Sequence, residues 1–121
     1  MILIDSSIWI DHFHKPDDAL FALLSRELVL MHPYVIGEIA LGHLRNRELV
    51  VRELRKHMRC VVASEDEVLR LIEHEKLAST GIGYVDAHLL ASIRITPGSS
   101  LWTRDRRLNE VARRLGIAAK V

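Results

Sequence analysis

The first four residues of this 121-residue chain, Met1, Ile2, Leu3 and Ile4, are all apolar, and the fifth is Asp. A strand exposed on one face alternates apolar and polar side chains. An unbroken apolar run reads instead as a strand buried on both faces, the habit of parallel sheets covered by helices on each side. The carboxylate of Asp5 therefore follows directly on a buried parallel strand, the position at which open α/β sheets hold their ligands. Asp is also a good helix N-cap, so taken singly Asp5 fits either role.

The rest of the chain alternates short apolar runs with helical stretches. Ser7 to Phe13 reads as a short helix ending near Pro16, and Asp17 or Asp18 can cap a second helix through Leu24. Leu28 to Met31 reads as the second strand. Pro33 suits the first turn of a helix running to about Leu44, and another helix covers Arg47 to His57. Cys60 to Ala63 is expected to be the third strand. Ser64-Glu65-Asp66-Glu67 has the form of a capping box. Gly81 and Gly83 precede a helix from about Tyr84 to Ile95, Ser100 to Thr103 is the fourth strand, and Asp105 to Leu115 is a last helix stopped by Gly116. Ile117 to Ala119 could add a short fifth strand. Short strands alternating with helices imply a parallel sheet with helices on both faces.

The length suits one domain, residues 1–121, with one core. Cys60 has no possible disulfide partner, which suits a reducing compartment. No apolar run approaches the roughly 20 residues that span a bilayer. The start lacks the basic and apolar regions of a signal peptide. A cytoplasmic protein with no membrane partner is expected.

Three further carboxylates give Asp5 its meaning. Glu38 is the only charge between Pro33 and Gly42, amid Tyr34, Val35, Ile36, Ile39, Ala40 and Leu41. A helix apolar nearly all round is expected to be buried, so Glu38 must be paired, protonated or bound to a metal. Leu41 and Gly42 lie near its face, which argues against an exposed stripe. Asp86 shares a helical face with Leu89, Leu90 and Ile93, although the helix dipole also favours Asp near a helix start. Asp105 follows Leu101, Trp102 and Thr103 and is a natural N-cap for the last helix. Four carboxylates meeting at one end of a sheet would repel unless cations neutralised them. Mg²⁺ and Mn²⁺ prefer oxygen ligands and suit such a pocket, and such clusters serve metal-assisted phosphodiester cleavage.

The formal net charge is +1, but the seventeen cations face only twelve carboxylates outside this set, a surplus compatible with an anionic polymer as substrate. Thirteen of the cations are Arg, whose planar fork suits phosphate. The cluster from Arg45 to Arg59 alternates with Glu48 and Glu53 and reads as a solvated face. Arg104, Arg106 and Arg107 flank Asp105 and are candidates for orienting a nucleic-acid backbone.

The seven His offer no zinc site. His12 and His14 point to different sides of a helix, and the others lack ligand spacing. Haloacid dehalogenase-type phosphatases want Asp-x-Asp after the first strand. Receiver domains want an acidic pair there with a later Asp and Lys, and four-acid exonucleases want Asp-x-Glu on the first strand. None of these patterns is present.

The segments ILIDSSIWI, YVIGEIALG, GIGYVDAHLLASI and LWTRDRRL, in this order and spacing, give the whole chain a resemblance to PIN-domain nucleases, and within them to the VapC-type toxins of bacterial toxin–antitoxin pairs. The resemblance implies a three-layer α/β/α sandwich with a central parallel sheet of four to five strands. It implies a Mg²⁺- or Mn²⁺-dependent endoribonuclease with Asp5, Glu38, Asp86 and Asp105 as catalytic and metal-holding residues, and Ser6 and Thr103 in support. It further implies a homodimer and a VapB-type antitoxin that blocks the site. The alternative from a different class is a non-catalytic PIN-like module that binds RNA or protein.

Overall fold

The computed structural model describes residues 1–121. Four parallel strands, β1 (Ile2–Ile4), β2 (Val29–Met31), β3 (Met58–Arg59) and β4 (Ser100–Trp102), lie in the order β3-β2-β1-β4. Between and after them run α1 (Ser6–His14), α2 (Asp18–Ser25), α3 (Pro33–Leu41), α4 (Arg47–Leu54), α5 (Glu65–His74), α6 (Tyr84–Arg94) and α7 (Arg106–Arg114). In the centre of the sheet, Leu3 is in register with Leu30 on one side and Leu101 on the other. Leu3 and Ile4 are consecutive and both fully buried, so both faces of β1 are covered, as the opening apolar run requires.

The chain steps outward from β1 to β2 to β3, then returns past β1 to β4. Right-handed crossovers place helices on opposite faces when the direction of travel reverses. Accordingly α1, α3 and α4 pack together, and α5 packs on α6. The result is a three-layer α/β/α sandwich. Its reversal falls between β1 and β4, which makes the carboxyl end of that strand pair the topological switch point, the crevice where such sheets bind ligands.

Local signals set the helix boundaries. Asp17 caps α2 by accepting from the Leu20 N–H (3.0 Å). Pro33 occupies the first turn of α3. The Ser64–Glu67 capping box is formed in both directions. Gly116, at φ +74°, follows α7.

Three expectations are corrected. Cys60–Ala63 is not a strand: β3 ends at Arg59, and the next free donors are taken by side chains of the α6 segment. Val61 N–H donates to Thr96 Oγ1 and Ala63 N–H to Ser92 Oγ. The helix from Pro33 stops at Leu41 rather than Leu44, because Gly42 is extended and Arg47 caps the open carbonyls of Ala40 and Gly42. Ile117–Ala119 contributes one bridge, Leu101 to Ala118, not a strand. The aromatic pair of α1 divides: Trp9 is core, whereas Phe13 stays more than a third exposed.

Candidate active site

Asp5 stands at the centre. Its N–H donates to Trp102 O (2.9 Å), so its backbone continues the ladder between β1 and β4. The residue is only 5% exposed. Its Oδ1 accepts from Ser6 N–H (2.8 Å), and its Oδ2 accepts from Thr103 Oγ1 (2.6 Å) and Ser7 Oγ (3.0 Å). Thr103 Oγ1 in turn accepts from Asp105 N–H (3.0 Å), which fixes the direction of its own proton toward Asp5. Asp5 is thus both the cap of α1 and a carboxylate held rigidly at the switch point.

Asp105 caps α7, accepting from Leu108 N–H at Oδ1 (3.0 Å), and is exposed. Asp86 is half-buried in the first turn of α6, where its Oδ2 accepts from Gly83 N–H (3.1 Å). Burial, followed by the charges of Asp5 and Asp105, raises its pKa, against the lowering effect of the Gly83 N–H. Glu38 also has a raised pKa, from partial desolvation of its carboxyl group and then from Asp5 and Asp86, while a hydrogen bond from Ser6 Oγ (3.2 Å) opposes the shift.

The expectation that the Glu38 helix face is buried is corrected. Glu38 shares an exposed stripe of α3 with Tyr34, Gly37 and Leu41, and Leu41 is 90% exposed. Apolar composition misled here because this stripe covers no core; only the carboxyl end of Glu38 turns toward the other acids.

Glu38 feels the charges of Asp5 and Asp86, Asp86 feels those of Asp5 and Asp105, and none of the four takes part in an ion pair with Lys or Arg. As the side chains stand, no three are gathered closely enough to hold one metal ion. Each accepts from a local N–H or hydroxyl donor. The donor set is all hard oxygen, and it leaves uncompensated negative charge. That chemistry fits Mg²⁺ or Mn²⁺.

The three candidate Arg separate. Arg104 is paired with Asp11 and Asp17, and its guanidinium lies 5.8 Å from the centre of the Trp102 ring. Its fork is occupied within the fold, which redirects it from RNA contact to tying the β4–α7 loop to α1. Arg106 is exposed beside Glu110. Arg107 lies across Gly81, in the loop before α6. A Cβ at Gly81 would come within 2.7 Å of Arg107 Cδ, and Gly81 has φ +87°. Gly81→Ala is expected to cost about 1 kcal/mol through the left-handed backbone and to push Arg107 off the loop; a thermal melt checks the first effect.

Sequence reasoning missed Ser7, which donates to Asp5 and accepts the Arg104 N–H (3.2 Å). The doubled serine after Asp5 was the available signal. Ser6 proves to serve Glu38 with its hydroxyl and Asp5 with its N–H. The His residues divide as surface and core groups, with His32 and His88 buried and polar.

Fold and site together define a class: parallel α/β proteins with uncompensated carboxylates lining the switch point. The chain belongs to the PIN-domain family, whose model matches residues 2–114. It is similar to Ribonuclease VapC32 of Mycobacterium tuberculosis, in strain CDC 1551 and in strain H37Rv, at 42% identity over 118 residues. That alignment covers 98% of this chain and 95% of each relative. No helix is long and apolar enough to cross a membrane.

Proposed function

We propose that this chain is a Mg²⁺- or Mn²⁺-dependent endoribonuclease and acts as the toxin of a toxin–antitoxin pair. The observation that carries the reading is the set Asp5, Glu38, Asp86 and Asp105: four carboxylates at the switch point, with two pKa values raised and no cation paired to any of them. The similarity to proteins named ribonucleases supports RNA as the substrate.

Asp5, Asp86 and Asp105 would hold the cation, with Glu38 contributing directly or through water. When bound, it supplies a water acidified enough to attack a phosphodiester in line. The chain's own groups prepare that site. Thr103 and Ser7 lock the orientation of Asp5, and Ser6 steers Glu38. Arg106 and Arg107, both exposed and just after Asp105 in the chain, would orient the phosphate backbone. Residues on several separate elements are preset, so little reorganisation is needed when substrate arrives. A VapB-type antitoxin presenting a basic side chain to the acidic pocket would silence the enzyme, and the active form would be a homodimer.

A non-catalytic PIN-like module that binds RNA or protein is the second reading. Incubation of the antitoxin-free chain with cellular RNA in Mg²⁺, in Mn²⁺ and in chelator separates the two. Discrete cleavage dependent on the metal is expected. Titrated Mg²⁺ is expected to raise the melting temperature, with a stabilisation near 2.7 kcal/mol at about a hundredfold excess over Kd. Neither cleavage nor stabilisation would leave the binding module as the better account.

A further inference from the structure

We propose that Tyr34 and Tyr84 form a stacking platform for an unpaired RNA base beside the carboxylate site, so that the enzyme reads its substrate partly through a splayed nucleobase. This rests on the ribonuclease reading given above.

The two tyrosines stand in the first turns of α3 and α6, the helices that carry Glu38 and Asp86. Both are large, flat and exposed, Tyr34 at 40% and Tyr84 at 49%. They converge on one buried ring. The His88 centroid lies 4.6 Å from that of Tyr34 and 4.8 Å from that of Tyr84, the latter edge-on at 90°. His88 Nδ1 is buried and finds no hydrogen-bond partner within the chain. The core offers that ring no polar partner, and its two nearest aromatic neighbours are these half-exposed tyrosines.

The platform is also braced. Tyr34 N–H donates to His32 Nδ1 (3.0 Å), and His32 Nε2 bonds Ser92 Oγ (3.1 Å) on α6. That link fixes the start of α3, and Tyr34 with it, against the helix that carries Tyr84. A rigid aromatic surface loses little entropy on binding. Tyr34 and Glu38 lie four residues apart on one face of α3, about 6 Å along its axis. A base resting on Tyr34 therefore belongs to a nucleotide adjacent to the phosphate under attack. Sequence-selective recognition of RNA commonly works by stacking unpaired bases on aromatic side chains. Such stacking is orthogonal to the phosphate contacts assigned to Arg106 and Arg107.

The test uses the full chain with a labelled single-stranded RNA pool of mixed sequence, in an Asp86→Asn background so that the RNA persists. Tyr34→Ala and Tyr84→Ala are each expected to weaken binding about tenfold, with the slope of affinity against salt unchanged because no phosphate contact is lost. Phe at either position is expected to bind like the parent. Leu, which fills the space against His88 without a flat π-face, is expected to bind like Ala, so the result does not depend on the Ala variants folding. In the otherwise intact enzyme the same Ala and Leu changes are expected to raise KM more than they lower kcat. Leu variants that bind and cleave like the parent, in a parent that cleaves RNA, would overturn the platform alone. A parent that neither binds nor cleaves RNA would overturn the ribonuclease reading with it.

Discussion

Asp86→Asn is expected to abolish metal-dependent RNA cleavage, at least about a hundredfold below the parent, and at the same time to raise the melting temperature of the metal-free chain. The two effects have one cause. Burial and the charges of Asp5 and Asp105 hold the Asp86 pKa up, which means that the folded protein disfavours this carboxylate. Asn removes the charge, and its side-chain oxygen can still accept the Gly83 N–H that Asp86 Oδ2 accepts. Strain of this kind is stored at a site because the site needs it.

Asp5→Asn separates the carboxylates. It too is expected to end cleavage, but with a loss of stability of about 1–3 kcal/mol. Asp5 uses both oxygens as acceptors, from Ser6 N–H on one and from Ser7 and Thr103 on the other. In either orientation an amide presents an NH₂ group to a donor in a buried site. Chemical denaturation of both variants with and without Mg²⁺ measures the contrast. An Asp86→Asn protein less stable than its parent without metal would mean that the carboxylates do not repel across the site.

The contrast also marks what a sequence can reveal. The apolar run before Asp5 announced the buried central strand, and Leu3 and Ile4 are both fully buried. Strand–helix alternation pointed to the parallel sandwich, because helices and buried strands have different periods. Burial of the Glu38 face is not legible in the sequence, because composition shows that a helix is apolar but not which neighbours cover it; Leu41 is 90% exposed. Arg104 looked like a phosphate contact because its partners Asp11 and Asp17 are remote in sequence and meet it only in the folded chain. Cys60–Ala63 has the composition of a strand, but its backbone donors are claimed by Ser92 and Thr96, more than 25 residues away. Local chemistry was legible, whereas pairings made by the fold were not.

Acidification is expected to destabilise the chain by up to about 3 kcal/mol between about pH 6.5 and about pH 4 through His32 alone. His32 is fully buried where β2 meets α3. Its Nδ1 accepts the Tyr34 N–H, so that nitrogen carries no proton, and the proton on Nε2 points to Ser92 Oγ. A second proton would have to enter at Nδ1, breaking the bond to Tyr34 and charging a buried ring that also faces His88 and Arg59. Burial, followed by those two neighbours, lowers the pKa to about 4. Below about pH 6.5 the unfolded chain takes up a proton that the native chain refuses, so the unfolded state is favoured until the native pKa is reached. The raised pKa values of Glu38 and Asp86 act in the opposite sense, because there the native state holds its protons longer. The His32 contribution is isolated by comparison with His32→Asn. Asn keeps an acceptor for the Tyr34 N–H but does not titrate. The variant is expected to be less stable near neutrality, where it loses the Ser92 bond and packing, yet to lose less on acidification. Urea unfolding at several values between pH 7 and pH 4 gives both curves. Parallel curves would show that His32 is not held neutral in the fold. Converging curves would mean that the brace between α3 and α6, the helices that carry Glu38 and Asp86, exists only while this one ring stays uncharged.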